Sequence, residues 1–212
     1  MKKETIEKLY YLFWIFVFGS VVGWFIEGIY TYLKKGVIIN HSAVVIGPFN
    51  MAYGLAACVL TTFLIKHKKS NSLKIFAIGF IGGTLLEYIM SIGIELTLGF
   101  TAWDYSKKPL NINGRVCLLY SIFWGILAIF WIKSIYPYVI KIIKKIDYNI
   151  GKKIAVGLAI FLLFDMAFTY SAVERAKRNE KGIPPENRYE EILDKTFNKK
   201  YLKNMFNNNW LK

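Results

Sequence analysis

Five apolar runs, at about 9–33, 44–65, 73–98, 115–137 and 154–173, fill most of the 212-residue chain. Each approaches or exceeds the roughly 20 residues a helix needs to cross hydrocarbon. A soluble core has no use for five such runs in so short a chain. They predict an all-α, polytopic transmembrane helix bundle of about five spans. The N-terminal segment starts M-K-K-E-T-I-E-K and then turns apolar like a signal peptide, but its apolar part is too long, lacks a small-x-small site and ends in Glu27. It is expected to stay as the first span.

The formal net charge of +14 would suggest nucleic acid in a soluble protein. Here the lysines crowd the ends of the apolar runs, so the partner they predict is lipid headgroups and not nucleic acid. Cys58 and Cys117 both fall inside predicted spans without a C-x-x-C spacing, which makes neither a disulfide framework nor a zinc site. No metal or other cofactor is expected.

Within the spans, acids mark where the chemistry sits. The third run reads G-F-I-G-G-T-L-L-E-Y-I-M-S-I-G-I-E from Gly79 to Glu95. An ionised acid at mid-membrane costs roughly 2.5–3.5 kcal/mol on insertion scales, so Glu87 and Glu95 are expected to face protein or a water-filled cavity. Helical spacing puts Glu87, Ser91 and Glu95 on one stripe. Gly79 and Gly83, four apart, form a notch where a second helix can approach closely.

The first run carries the same pattern. A shift of sixty residues aligns Gly19, Gly23, Glu27 and Ile29 with Gly79, Gly83, Glu87 and Ile89, and sets Thr31 beside Ser91. First and third spans run in the same direction, so this reads as a parallel internal repeat of a helical hairpin. Glycine at every fourth position is common in membrane helices, and chance similarity is the competing reading.

The connections differ in character. Gly47 and Pro48 break the stretch after the first span, which predicts a loop over 37–47 dipping into the interface, with Pro48 near the first turn of the second span. His41 stands alone there and is expected at the surface. The segment L-G-F-T-A-W-D-Y-S-K-K-P-L-N-I-N-G-R after Glu95 is a loop by its glycines, proline and asparagines. Trp103 suits a membrane interface, whereas Asp104, Asn111, Asn113 and Arg115 are unusually polar for that place. Lysines 141, 144 and 145 opposite isoleucines predict a short basic surface helix over 138–149. Asp165 falls near the middle of the fifth run, with no role assigned.

Residues 1–173 are thus read as the transmembrane bundle and 174–212 as a tail. In the tail Tyr189, Ile192, Leu193, Phe197, Tyr201, Leu202 and Met205 recur at helical spacing and predict an amphipathic helix docked on the bundle or a partner. Counting Lys and Arg gives thirteen at the N-terminus, loop 66–74 and loop 133–153, against five in loops 34–48 and 99–115. The positive-inside rule then predicts a cytoplasmic N-terminus in the cell membrane and an outer 99–115 loop. Five spans put the tail outside too, although Arg175, Lys177 and Arg178 argue against it.

Taken together, S-V-V-G-W-F-I-E, G-P-F-N-M-A-Y-G, L-E-Y with Glu95, W-D-Y-S, N-I-N-G-R and F-W-G resemble, in order and over roughly 14–137, the putative ABC-transporter type IV family of small bacterial integral membrane proteins. W-D-Y-S followed by N-I-N-G-R is the most distinctive part. Relatives often carry a Cys-Pro pair in the second motif, where this chain has Asn50 and Met51, so any role of that thiol is absent here. The resemblance implies a permease. The chain has no G-x-x-x-x-G-K-[ST] loop, so a permease role would need a separate ATPase subunit, and the small span count would call for a homo-oligomer or another membrane partner.

Glu27, Glu87, Glu95 and Asp165 stand in or beside the membrane against one cation, Arg115. A guanidinium can keep one carboxylate ionised; the others must be protonated, hydrated or matched by a cationic ligand. The inferred site is an outward-facing polar pocket of Glu27, Glu87, Glu95, Asp104, Asn111, Asn113 and Arg115, with Trp24 and Trp103 as walls that can stack on a cation. Three functions compete: a transporter component for a small cationic or lipid-like ligand, a non-catalytic assembly or signalling subunit whose acid–arginine cluster is a clamp, and an intramembrane lipid-active enzyme. The last is least favoured, because H-E-x-x-H and G-x-S-x-G are absent.

Overall fold

The computed structural model describes residues 2–99, 101 and 103–206. Phe100 and Ala102 of the polar loop, and residues 207–212 of the predicted tail, lie outside the described residues. The fold is all-α. Helices α1 (Lys2–Lys35), α2 (Met51–Leu64), α3 (Ser72–Leu98), α4 (Leu118–Phe130), α5 (Tyr136–Ile143) and α6 (Tyr148–Glu180) form the bundle, and α7 (Arg188–Thr196) and α8 (Lys199–Phe206) follow. Four helical stretches, α1, α3, α4 with α5, and α6, are long and apolar enough to cross a membrane. The second run gives a shorter apolar helix, Met51–His67.

That shortness has a local cause. Gly47 sits at φ +85° and Pro48 cannot donate a backbone bond, so the chain stays irregular until Asn50 opens α2. The loop is nonetheless packed inside the protein: Val44 and Val45 are each 1% exposed. Irregular backbone at membrane depth survives only where protein satisfies its polar groups. Here Asn50 N–H donates to Ser20 O at 3.0 Å, Ala43 N–H to Phe49 O at 2.9 Å and Ser42 Oγ to Gly47 O at 2.8 Å.

Pro137 behaves differently from expectation. It does not end the fourth span: the helix widens into a π turn over Trp131–Ile135 and continues as α5, with Pro137 in its first turn. A wider turn absorbs the missing N–H and the ring's clash with the preceding turn. The basic surface helix predicted over 138–149 is therefore replaced, through Ile143, by the end of this span.

Packing follows the glycines. Helix α1 packs on α2, and α3 on α4. A Cβ on Gly19 would lie 2.7 Å from Ala57 Cβ, and one on Gly79 would lie 2.2 Å from Ala128 Cβ. Both positions need a bare backbone for the helices to meet. At the same end of the bundle Ile15, Leu64, Ile75, Ile132 and Ile143 close a common core, and Trp131 Nε1 donates to Thr61 Oγ1 at 2.9 Å. Phe25, Ile81, Leu85, Ile89 and Phe164 instead face outward and exposed, the surface that lipid tails cover.

The tail forms two helices where one was expected. Asn187 Oδ1 accepts from Glu190 N–H and Asn198 Oδ1 from Tyr201 N–H, both at 3.0 Å. The second asparagine starts a new helix and so splits the amphipathic stretch. Leu193 and Leu202 bury themselves against Val45, Ala172 and Ala176, which fastens the tail to loop 36–50 and α6. Arg175 grips Asp194 through Nε and Nη2, Arg178 reaches Glu186 and Glu190, Lys177 pairs with Glu174, and Lys199 with Glu180. The cations that argued against an outer tail are thus each met by an acid.

Two outcomes follow from this packing. Gly79→Val should destabilise the α3–α4 pair by about 1–3 kcal/mol, while Gly82→Ala, whose Cβ would meet nothing within 4 Å, should be neutral or slightly stabilising; thermal unfolding in detergent checks both. Glu190 is held below the usual carboxylate range by the Glu186 backbone N–H and by Arg178 and Arg175. A depressed folded-state pKa contributes stability above the unfolded value and loses it as pH falls through the folded one. Hydrogen-exchange protection of α7 should therefore drop between about pH 6 and about pH 3.

Candidate functional site

The polar loop after α3 folds on a hairpin. Strands β1 (Asn111–Ile112) and β2 (Val116–Cys117) pair antiparallel, Asn111 opposite Cys117 and Ile112 opposite Val116. Asn113 and Gly114 both take positive φ, 53° and 68°, within the three-residue connection 113–115 between the paired residues. Arg115 N–H closes it onto Ile112 O at 3.0 Å. W-D-Y-S then wraps this turn. Trp103 Nε1 donates to Arg115 O at 2.8 Å, and Tyr105 N–H to Gly114 O at 2.7 Å. Asp104 accepts from Ser106 N–H and Oγ, bonds that hold its carboxyl below the usual range, and it crowds Gly114 so closely that a Cβ there would lie 2.9 Å from Oδ1. Asn111 ties Ser106 O, Lys108 O and Gly114 N–H together.

What the loop presents to the bundle is Tyr105 and Arg115. Glu87 is 6% exposed and has both oxygens engaged: Tyr105 OH donates to Oε1 at 3.0 Å and Trp124 Nε1 to Oε2 at 3.1 Å. Burial, then the Glu87 charge, push the Tyr105 hydroxyl above its ordinary pKa, so it stays a donor. Arg115 lies along the same stripe, with Nη1 donating to Ser91 Oγ at 3.0 Å and Nη2 paired to Glu95. Asn113 Nδ2 donates to Tyr88 OH at 2.9 Å.

The α1–α2 hairpin carries the same joint with different atoms. A Cβ on Gly23 would strike the Tyr53 ring, as one on Gly83 would strike Trp124. One turn on, Tyr53 OH donates to Glu27 Oε1 at 2.5 Å, where Trp124 serves Glu87. A further turn on, Thr31 Oγ1 shares a 2.7 Å hydrogen bond with His41 Nε2, where Ser91 accepts from Arg115. His41 is therefore engaged by α1, not loose at the surface. Each hairpin stacks glycine, glycine on an aromatic ring, carboxylate on that ring's donor, and hydroxyl on a basic side chain of the following loop.

The two joints lie close together. Tyr53 is within electrostatic reach of Glu87 as well as Glu27, and Tyr120, at the start of α4, is within reach of Glu27, Tyr30 and Lys34. Tyr120 also stacks on Tyr105, with ring centroids 4.5 Å apart. Trp24 is turned elsewhere: its Nε1 donates to Asn40 Oδ1 at 2.7 Å. Asp165 Oδ1 accepts from Ile46 N–H at 3.0 Å, and Thr169 Oγ1 from Val45 N–H at 2.9 Å, so α6 anchors the buried loop.

Of the residues singled out by sequence, Glu87, Glu95, Trp103, Asp104, Asn111, Asn113 and Arg115 share one loop–helix unit, and Glu27 adjoins it through Tyr53 and Tyr120. Asp104, Asn111 and Trp103 build the loop. The aromatic groups beside the acids are tyrosines and Trp124, not Trp24. Tyr120 went unread; its signal was a tyrosine in the first turn of an otherwise apolar span, the place where a hydroxyl can reach the polar end.

A sequence model of the family described as putative ABC-transporter type IV matches residues 14–170. No curated protein and no solved structure matches the chain.

Trp124→Phe removes one donor from a buried carboxylate while keeping a ring against Gly83. It should cost about 1–3 kcal/mol, visible as a lowered unfolding temperature, and Tyr105→Phe should do the same.

Proposed function

The chain belongs to the putative ABC-transporter type IV family, and from that premise we propose that it is the membrane-spanning component of a transport system whose ligand enters an outward-facing polar chamber between the two hairpins. It is embedded in the membrane by its long apolar helices. The observation that carries the reading is the convergence of Glu27 and Glu87, each on a donor from its own hairpin, around Tyr53 and Tyr120. Two acids brought to one polar corner at the end of apolar helices are an arrangement suited to a cationic or lipid-like ligand. Residues 103–117 form the rim, with Arg115 fixing their position on α3.

Orientation follows from charge. The lysine-rich end, with the N-terminus and the 66–74 loop, faces the cytoplasm of the cell, and the chamber faces out. The tail lies on the chamber side, its cations neutralised by its own acids. Hydrolysis is supplied by a separate ATPase subunit, since the chain has no phosphate-binding loop. A homo-oligomer would supply the further spans of a full pathway.

A second reading is favoured by a different observation. Glu87 has both oxygens satisfied and Arg115 is tied to Ser91 and Glu95, as expected of a clamp in an assembly or signalling subunit. The two readings separate on partners. Affinity purification from native membranes is expected to bring down a P-loop ATPase in stoichiometric amount, and Arg115→Ala should lower thermal stability without removing that partner. Purification that repeatedly yields the chain without any nucleotide-binding subunit would remove the permease reading.

A further inference from the structure

The two joints are alike in plan and unlike in saturation. Glu87 is buried with two donors and no free oxygen. Glu27 is half-buried, and among the described residues its Oε2 accepts no hydrogen bond. A carboxylate with an unused oxygen on a partly open face is the group able to take a ligand.

Its surroundings specify that ligand. Tyr30 lies one turn further along α1, exposed, Tyr53 contacts Glu27 from α2, and Tyr120 on α4, stacked on Tyr105, is within electrostatic reach of Glu27. An exposed ring face such as that of Tyr30, with tyrosine hydroxyls and a carboxylate near it, attracts cations through the ring quadrupole and the charge together. The chain already puts an ammonium against one of these rings. Lys34 Nζ stands 5.5 Å from the Tyr30 ring centroid and 3.4 Å from its hydroxyl, within reach of Tyr120. Among the described residues it forms no ion pair. In the other hairpin Arg115 is tied to Ser91 and Glu95, whereas Lys34, two turns beyond Glu27 on α1, is held by Tyr30 alone among the described residues.

We propose that Glu27, Tyr30, Tyr53 and Tyr120 form a binding site for an alkylammonium group, and that Lys34 is its resident occupant, displaced when ligand arrives. The proposal rests on the reading of this corner as a ligand chamber and adds the ligand's class. Glu87 is then the structural member of the pair, and Glu27 the recognition member.

The test uses the full chain in phosphatidylglycerol nanodiscs, with tetramethylammonium and ethanolamine as probes and calorimetry as readout. Saturable binding is expected for both, and none for ethanesulfonate. Glu27→Gln should weaken binding about tenfold at unchanged unfolding temperature, Tyr30→Leu, at an exposed position, should weaken it severalfold, and Lys34→Gln should strengthen it. Phosphatidylethanolamine added to the nanodiscs competes with ethanolamine if the natural ligand is a lipid headgroup, and leaves its affinity unchanged if the ligand is a free amine. Affinity untouched by both Glu27→Gln and Tyr30→Leu, or no saturable binding by the native chain and by Lys34→Gln, would overturn the proposal. Ammonium binding without an ATPase partner would sink the permease role alone, and the reverse result would sink the ligand class alone.

Discussion

A carboxylate buried among apolar helices has to be answered by donors, and in this protein the answer to Glu87 organises everything at one end of the bundle. Leaving such a group without partners costs several kcal/mol, a large part of a domain's net stability. Trp124 supplies one donor from the helix that the Gly79 and Gly83 notch admits, and Tyr105 supplies the other from the loop. The glycines therefore serve the acid as much as the packing, because only a bare backbone lets the Trp124 ring lie against α3 and still reach Glu87. The loop in turn has to hold Tyr105 in place, which is what Asp104, Asn111 and the Asn113-Gly114 turn accomplish. Arg115 completes the attachment by fixing the hairpin's root to Ser91 and Glu95.

Repetition of the joint in α1 and α2 with different atoms explains why the two halves need not do the same work. Tyr53 carries its donor at the far end of the ring and Trp124 within the ring system, and Glu27 stays partly exposed where Glu87 is buried. The second hairpin gains a further donor from its long loop; the first has a loop drawn away toward α6 and the tail, and its acid keeps an oxygen open. Two equivalent, fully closed joints would make a symmetric, rigid scaffold. One closed and one open joint leave a scaffold with a place for something else.

Much of the architecture was legible because it rests on local rules. Run length gave four of the five expected spans, the second run yielding only a shorter helix. Four-residue glycine steps gave the helix contacts, and the sixty-residue shift gave a repeat whose joints recur in the structure. What escaped reading depended on tertiary context. Pro137 is a stop signal to any local rule, yet a π turn over Trp131–Ile135 carries the helix past it. The tail's helical spacing says nothing of the cap at Asn198 that divides it. Asn-Gly in N-I-N-G-R is a hairpin signal that a polar-loop reading passed over. Arg115 was read as a partner of the acids, but the donors to Glu27 and Glu87 were not, since donors on a separate helix leave no trace in the spacing around them.

The shortness of α2 ties these features to the far side of the bundle. Because α2 begins only at Met51, Tyr53 sits in its first turn, and the position of that turn depends on the buried loop before it. That loop is held from one side by Asp165 and Thr169 on α6 and from another by Tyr201 OH, which donates to Val45 O at 2.8 Å. Asn40, bonded to Trp24, also reaches Met205 on α8. The tail and α6 thus set the ground on which the Glu27 joint stands, while among the described residues the loop of the Glu87 joint is held largely by its own hydrogen bonds. A mid-span acid such as Asp165 finds its use there: it accepts the Ile46 N–H of backbone that proline and glycine have freed from helix.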